Sequence, residues 1–330
     1  MNLSKPKKSN KPYLLICLLL LAVISGGYLY HKKDKLVVAI YSALEETLVP
    51  NQVKFTPKPP LPVWPVDASS YYGRNIMVYD TVNEWALLRK DVDSSVPIAS
   101  LTKIMTTILA IEHLEDLRAS VKIDGAVLSN LWAKNASMAG FASGETVKYL
   151  DLLYATVLPS GGEAATILAN EVSVRKGDFI KLMNQKAHEL KMTNTVFTNP
   201  TGLDSSTQVS SARDMVSLLR YALRSPIFRQ IFTTREYVTT PTPQHPNGIK
   251  MHSTVLSRIS ESEQQDFKIL GGKSGTTYGA GLCWAVLAEV EGREFIVVTL
   301  GAPLDNLANP TLYQKRDVLS LAGTIVEIDK

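Results

Sequence analysis

A serine and a lysine three residues apart can form a nucleophile, because an amine freed of its proton can take one from the hydroxyl. This chain carries the pattern three times, as Ser4/Lys7, Ser100/Lys103 and Ser173/Lys176. Spacing therefore selects none of them, and the surroundings must decide. Ser4 and Lys7 lie in a basic amino-terminal tail, and Ser173 and Lys176 precede Gly177, where a solvated surface pair is the simple reading. Ser100 and Lys103 open the run Ser100–His113, whose apolar positions 101, 104, 105, 108 and 109 predict a helix buried through the middle of a domain. The two side chains would share one helix face. A lysine on such a helix is costly unless it is paired or used. A serine at a helix amino terminus gains from the dipole and from free N–H groups that can bind an oxyanion. Ser100 as a plain helix cap accounts for the local run equally well.

Two later segments add weight. Ser160-Gly161-Gly162-Glu163-Ala164 follows an apolar run ending in Leu158-Pro159, and Lys273-Ser274-Gly275-Thr276-Thr277 lies on a predicted strand. Alternation sets Lys273 and Gly275 on one face of that strand. A cation there can hold a carboxylate, and a glycine lets substrate backbone come close. Ser-x-x-Lys, a second serine motif and a Lys-(Ser/Thr)-Gly strand, in this order, are shared with penicillin-binding proteins and class A β-lactamases. Pro97–Thr106, the stretch Thr193–Asp204 with Asn199-Pro200-Thr201-Gly202-Leu203, and Gly272–Thr277 followed by Ala280-Gly281 extend the likeness. Over about Ser69 to Gly301 the chain resembles the low-molecular-weight penicillin-binding proteins that are serine-type D-alanyl-D-alanine carboxypeptidases.

That resemblance implies an α/β chain of the α+β type, with an antiparallel five-stranded sheet flanked by helices and a mostly helical subdomain, as in penicillin-binding proteins and β-lactamases. It implies that Ser100 attacks the penultimate D-alanine of a peptidoglycan stem peptide, with Lys103 taking its proton and Ser160 relaying one to the leaving group. Lys103 is expected to lose its charge through burial and a nearby cation such as Lys273. Lys273, Ser274, Gly275 and Thr276 would bind the substrate and its terminal carboxylate, and the backbone N–H groups of Ser100 and Thr276 would form the oxyanion hole. No cofactor and no metal are implied, and β-lactam antibiotics would be covalent inhibitors. One position departs from the pattern: Gly162 stands where the second motif usually ends in Asn. The missing side chain removes a polar contact of about 1–3 kcal/mol if buried, unless Glu163 or a water replaces it. A β-lactamase of the same fold is a competing reading, although no Glu-x-x-Leu-Asn segment is present. A weakened wall protein that binds stem peptides or penicillin without turnover is another.

The elements that must position these residues are readable from periodicity. Strands are expected at Asn75–Asp80 and Trp85–Leu88, and helices at Val147–Leu158, Glu163–Glu171, Asp178–Leu190 and Ser211–Leu223. Three late strands, Lys268–Thr276, Leu282–Val290 and Glu294–Gly301, are expected to join the early ones in one antiparallel sheet. Glu291-Gly292-Arg293 forms the last hairpin, and a helix near Leu312–Thr324 ends the domain.

Charge places the chain at a membrane rather than on nucleic acid. Before Leu36 there are seven lysines against Asp34, a net +6, so the rest of the 330 residues carries −2 of the total +4. A cytoplasmic tail over 1–12 precedes an uncharged apolar segment over 13–30, near the lower length limit for a spanning helix. An uncleaved signal anchor is expected in a bacterial cell membrane, with everything after His31 outside; a cleaved signal peptide is the alternative. Residues 31–68, with six prolines between Pro50 and Pro65, read as an extracytoplasmic spacer before a catalytic domain over 69–330. Relatives often carry an added β domain and a carboxy-terminal anchor; here anchoring is expected at the amino terminus. Cys17 and Cys283 lie too far apart in kind of environment to pair, so Cys283 is expected as a buried structural thiol. The five histidines show no metal-ligand spacing, and no Gly-x-Ser-x-Gly elbow occurs. Tyr71, Tyr72, Trp132 and Tyr278 are candidates for a peptide groove, with packing in core or rim the simpler reading.

Overall fold

Alternation along a few long strands builds a sheet with two buried faces. The computed structural model describes Trp64 and residues 67–329. The expected tail and anchor, and most of the proline-rich spacer, lie outside the described residues. Strands β1 (Asn75–Asp80) and β2 (Trp85–Lys90) are followed by helix α1 (Lys103–His113) and, past the short β3 (Ser120–Lys122), by α2 (Gly125–Ala133). Strand β4 (Thr146–Lys148) runs into α3 (Tyr149–Val157), and α4 (Gly162–Lys176), α5 (Phe179–Glu189), α6 (Ala212–Ala222) and α7 (Pro226–Thr233) follow. The pair β5 (Glu236–Val238) and β6 (Lys250–His252) leads to β7 (Lys268–Thr277), β8 (Gly281–Val290), β9 (Arg293–Ala302) and α8 (Tyr313–Asp329).

The five main strands lie in the order β2-β1-β9-β8-β7, every neighbour antiparallel, which leaves β7 on an edge. Ile76, Val78, Trp284, Val286, Phe295 and Val297 pack with Val318, Leu321 and Ile325 of α8. Their alternates Met77, Tyr79, Ala285, Leu287, Ile296 and Val298 pack into the larger core under the remaining helices. Sheet and helices thus form three layers, as the resemblance implies. In the middle sits α1, buried at every position from Lys103 to Ala110 and packed against α3 and α4.

Where β1 meets β9, Asp80 and Arg293 are 0% and 1% exposed and form a direct ion pair. Asp80 also accepts from the backbone N–H groups of Val82 and Asn83 and from the Asn83 amide. Buried opposite charges with this many hydrogen bonds hold the strand ends in register.

Several boundaries differ from the periodicity, each for a local reason. The helix expected from Ser100 begins at Lys103, because Ala99–Thr102 form a separate 3₁₀ turn after a left-handed Ala99 at φ 47°. Residues 146–148 are strand rather than helix, since they pair with β3. Asp178 and Ser211 are caps rather than helical residues, their side chains accepting from the first-turn amides. Helix α4 continues past Glu171 to Lys176, with Arg175 and Lys176 favourably placed in its last turn. The hairpin is the two residues Glu291 and Gly292, both left-handed at φ 48° and 75°, and Arg293 belongs to β9. Helices α2 and α7 and the four short strands were not foreseen. The start of α7 was legible all the same: Ser225 caps it and Pro226 occupies the first turn.

Candidate active site

Ser100 sits half-buried on the 3₁₀ turn, and two glycines make that turn possible. A Cβ at Gly202, itself at φ 81°, would fall 2.0 Å from the Ala99 carbonyl oxygen. A Cβ at Gly275 would lie 2.7 Å from the Ile98 carbonyl oxygen and 3.1 Å from the Ser100 nitrogen. The loop before α6 and the strand β7 therefore clasp the turn from two sides, closer than any side chain permits. This contact brings the backbone around Thr276 beside the backbone N–H of Ser100.

Lys103 follows as the first residue of α1, only 3% exposed. Its Nζ donates to Ser100 Oγ at 2.9 Å and to the Thr201 carbonyl at 2.6 Å. Burial lowers its pKa to about 7, while the carboxylate of Glu163 acts in the opposite direction. The expected contribution of Lys273 to this lowering is not among its causes; burial alone drives it. Like-charge repulsion appears instead at Lys273, held well below the usual lysine range by burial first, then by Lys103 and Arg258.

The Thr201 carbonyl is a partner that side-chain patterns do not reveal. Asn199 shapes its loop: Oδ1 accepts from the N–H groups of Thr201 and Gly202, and Nδ2 donates to Leu203 O. Gln208 fixes the other side by accepting from the N–H groups of Thr198 and Asn199. Thr106 Oγ1 then ties Pro200 O to α1 at 2.6 Å. In the sequence the Asn-Pro-x-Gly-Leu stretch carried only the family likeness, and not the atom it presents.

Ser160 is 5% exposed and held at φ 66° between α3 and α4, a strained conformation for a residue with a side chain. Lys273 Nζ donates to Ser160 Oγ at 2.9 Å and to the Ser274 carbonyl at 2.7 Å. Lys273 is 0% exposed, so its ammonium lies behind Ser160 and does not face solvent. Ser274 shares a 2.7 Å hydrogen bond with Thr254.

At the departing position, the Gly162 N–H donates to Ser137 O at 2.7 Å. A Cβ there would meet that oxygen at 3.2 Å and Ala136 Cβ at 3.4 Å. The 136–137 segment thus lies close against the point from which any side chain at this position would start. Glu163, fully buried, accepts from the N–H groups of Ala139 and Gly140 through Oε1 and so pins the same loop. Its Oε2 has no hydrogen-bond partner.

These groups open into one cleft of about 750 Å³, lined by Ser100, Lys103, Ser160, Ser274 and Thr276 together with loop 134–137. The structure thus gathers Ser100, Lys103, Ser160, Ser274, Gly275 and Thr276, with Lys273 directly beneath. Of the aromatic candidates, Tyr278 lines the cleft and is 79% exposed, and Trp132 is 61% exposed. Tyr71 is core, and Tyr72 packs at a tilt against Tyr313 and does not line the cleft. Ser173 and Lys176 stand at the far end of α4 as a solvent-facing pair. Cys283 is buried and free, its thiol pushed up to about 12 by burial, which leaves it inert. Such an arrangement can do acyl transfer: a hydroxyl beside an amine that loses its charge near neutrality, a second hydroxyl on another amine, and an open strand edge.

Known proteins agree with that geometry. Residues 65–304 match the family model of D-alanyl-D-alanine carboxypeptidases. The D-alanyl-D-alanine carboxypeptidase DacC of Escherichia coli is 29% identical over 249 residues, 73% of this chain and 60% of that protein, so the chain spans only part of its length. A D-alanyl-D-alanine endopeptidase of Pseudomonas aeruginosa is 30% identical over 233 residues, 68% of this chain and 70% of that protein. Among solved structures, a variant of a Streptomyces DD-transpeptidase aligns with a TM-score of 0.68 at 25% identity, covering 77% of this chain and 97% of that one. A D-alanyl-D-alanine carboxypeptidase from Mycobacterium tuberculosis aligns with a TM-score of 0.63, also at 25% identity, over 82% and 95% of the two chains. The chain belongs to the D-alanyl-D-alanine carboxypeptidase family.

Proposed function

We propose that the protein is a serine D-alanyl-D-alanine carboxypeptidase that removes the terminal D-alanine from peptidoglycan stem pentapeptides and is acylated by penicillin. The observation that carries this reading is the 2.9 Å contact between Ser100 Oγ and a buried Lys103 whose pKa is about 7. Neutral Lys103 takes the Ser100 proton as Oγ attacks the carbonyl carbon of the penultimate D-alanine. The oxyanion is met by the N–H groups of Ser100 and Thr276. As the C–N bond breaks, Ser160 donates its proton to the departing amine and takes in its place the one Lys103 holds, which leaves Lys103 neutral again; Lys273 holds the Ser160 oxygen throughout. Water then attacks the acyl-enzyme ester, Lys103 accepts its proton, and Ser100 regains its hydrogen. Ser274 and Thr276 supply hydroxyls to the substrate, and Gly275 keeps β7 bare where the peptide runs along its edge.

The same reading places the catalytic domain over 69–330 outside a bacterial cell membrane, carried by a single-pass anchor over 13–30 and a spacer over 31–68. Its support is the charge asymmetry and the apolar segment. Among the described residues no helix is long and apolar enough to cross a membrane. An endopeptidase activity on cross-linked stems is a second reading, favoured by the 70% coverage of the Pseudomonas aeruginosa endopeptidase.

The full-length chain incubated with a fluorescent penicillin and with a peptide ending in D-Ala-D-Ala is expected to be labelled and to release D-alanine. Ser100→Ala is expected to abolish both. Neither labelling nor release from the wild type would sink the enzyme reading; fast hydrolysis of the penicillin would replace it by a β-lactamase.

A further inference from the structure

The carboxypeptidase reading fixes which way the substrate lies. Ser160 hands a proton to the departing amine, so the terminal D-alanine leaves on its side of the cleft. Lys273, which holds Ser160, stands four residues before Thr277 on β7, about 13 Å back along the strand. The acyl half of the stem must therefore run the other way, toward Thr277. There Asp204 accepts from Thr277 Oγ1 at 2.6 Å and ties the loop before α6 to the end of β7. At that end the cleft does not close. Thr201, Leu203, Asp204 and Lys134 line it and also line a second hollow of about 630 Å³, set between α2, α4 and the start of α5. Neither Ser160 nor any residue of β7 lines that hollow.

We infer that this hollow binds the amino-terminal part of the stem peptide, so that the enzyme reads more of its substrate than the D-Ala-D-Ala end. Its floor is apolar, built from Val127, Leu131, Ala169, Phe179 and Pro200. Leu131, Ala169 and Phe179 are buried, which makes that floor rigid. Two amides stand at its rim, Asn130 on α2 and Asn170 on α4. Both residues are exposed, and neither side chain has a hydrogen-bond partner among the described residues. An apolar trough edged by free amides suits a peptide. Side chains lose water against the floor, and each amide can both donate to and accept from a peptide backbone. The size also fits, since small-ligand pockets run from roughly 300 to 1,000 Å³. The other way out of the cleft passes Tyr278 over the connection between β9 and α8. The pocket there holds only about 280 Å³.

This inference rests on the carboxypeptidase reading, and the experiment separates the two. The full-length wild type is given a complete stem pentapeptide and, separately, an acetylated peptide of only its last three residues. Its kcat/KM is expected to be about tenfold or more higher for the complete stem. Ala126→Trp on α2 and Asn170→Trp on α4 each put an indole into the hollow and should bring the stem down to the level of the short peptide. Cleavage of the short peptide and labelling by a fluorescent penicillin should stay unchanged, which also shows that the variants fold. Asn130→Ala combined with Asn170→Ala leaves the hollow open without its amides and should lose part of the preference, roughly 3- to 10-fold. Leu307→Ala, on the other way out, should keep it all. The assignment is overturned if the wild type cuts both peptides equally well, if the tryptophan variants keep the preference or lose both peptides alike, or if Leu307→Ala loses it. If the wild type releases D-alanine from neither peptide, the carboxypeptidase reading falls and takes this inference with it.

Discussion

The molecule buries charge in two places and handles it in opposite ways. Where β1 meets β9, Asp80 and Arg293 face each other with opposite signs, and Asp80 accepts three further hydrogen bonds. In the cleft floor, Lys103 and Lys273 share a sign, and neither is in contact with a carboxylate; their partners are hydroxyls and backbone carbonyls. The first site keeps its charges because each stabilises the other in a region water does not reach. The second weakens its hold on them: burial pushes both amines below the usual lysine range, and no carboxylate hydrogen-bonds to either. A structural ion pair and a chemically usable amine thus differ in the sign of the neighbour, while depth of burial is the same.

Three measurements would break or sharpen that contrast. The largest effect is expected from Lys103→Met, which removes the amine and keeps the volume. Acylation by a penicillin should fall by about 10⁴-fold or more, as when a base acting with its nucleophile is deleted. The melting temperature should shift by only a few degrees, since the loss of two hydrogen bonds is offset by the end of amine desolvation. A collapse of stability would show Lys103 to be structural, like Arg293. Next comes Asp80→Asn, which removes the buried carboxylate that Arg293 meets at this strand end. The expected cost is about 3–5 kcal/mol, or roughly 10 °C in the thermal melt. Labelling per folded molecule should be unchanged; a fall in the acylation rate at full stability would contradict the division drawn here.

The smallest effect concerns pH. The unprotonated amine is the reactive form, so the acylation rate should rise as pH climbs through about 7 and level off above. Glu163 opposes that discharge. In Glu163→Gln the opposing charge is gone while Oε1 can still accept from Ala139 and Gly140, so the rising limb should move to lower pH. An unmoved limb, or one moved upward, would show that Glu163 does not act on Lys103.

Much of this was legible in the amino-acid order. The order of Ser100, Lys103, Ser160 and Lys273 along the chain, an apolar helix run after Ser100, and short apolar runs at β1, β8 and β9 pointed to one family and one sheet. Those signals are local: a period of 3.6 or 2 is set by backbone geometry and by which faces must avoid water. The glycines at 202 and 275 were visible too, and only glycine survives where another backbone stands 2.0–2.7 Å from a would-be Cβ.

The rest was decided between distant segments. Nothing in the spacing of Lys273 tells whether its long side chain turns toward solvent or toward Ser160; the fold buries it and bonds it to Ser160, 113 residues away in sequence. The Thr201 carbonyl carries no side-chain signature, yet its 2.6 Å bond to Lys103 depends on Asn199 and Gln208 holding a loop 98 residues away in sequence. Gly162 read as a missing group, whereas in three dimensions the segment at Ala136 and Ser137 packs close against it and its N–H bonds to Ser137 O. Sequence by itself determined which residues could do chemistry and on which elements they lie, because composition and periodicity are properties of the chain. Tertiary structure alone decided how far Lys103 is desolvated and which atoms it meets, because the electrostatic environment of a side chain is made by whatever packs around it.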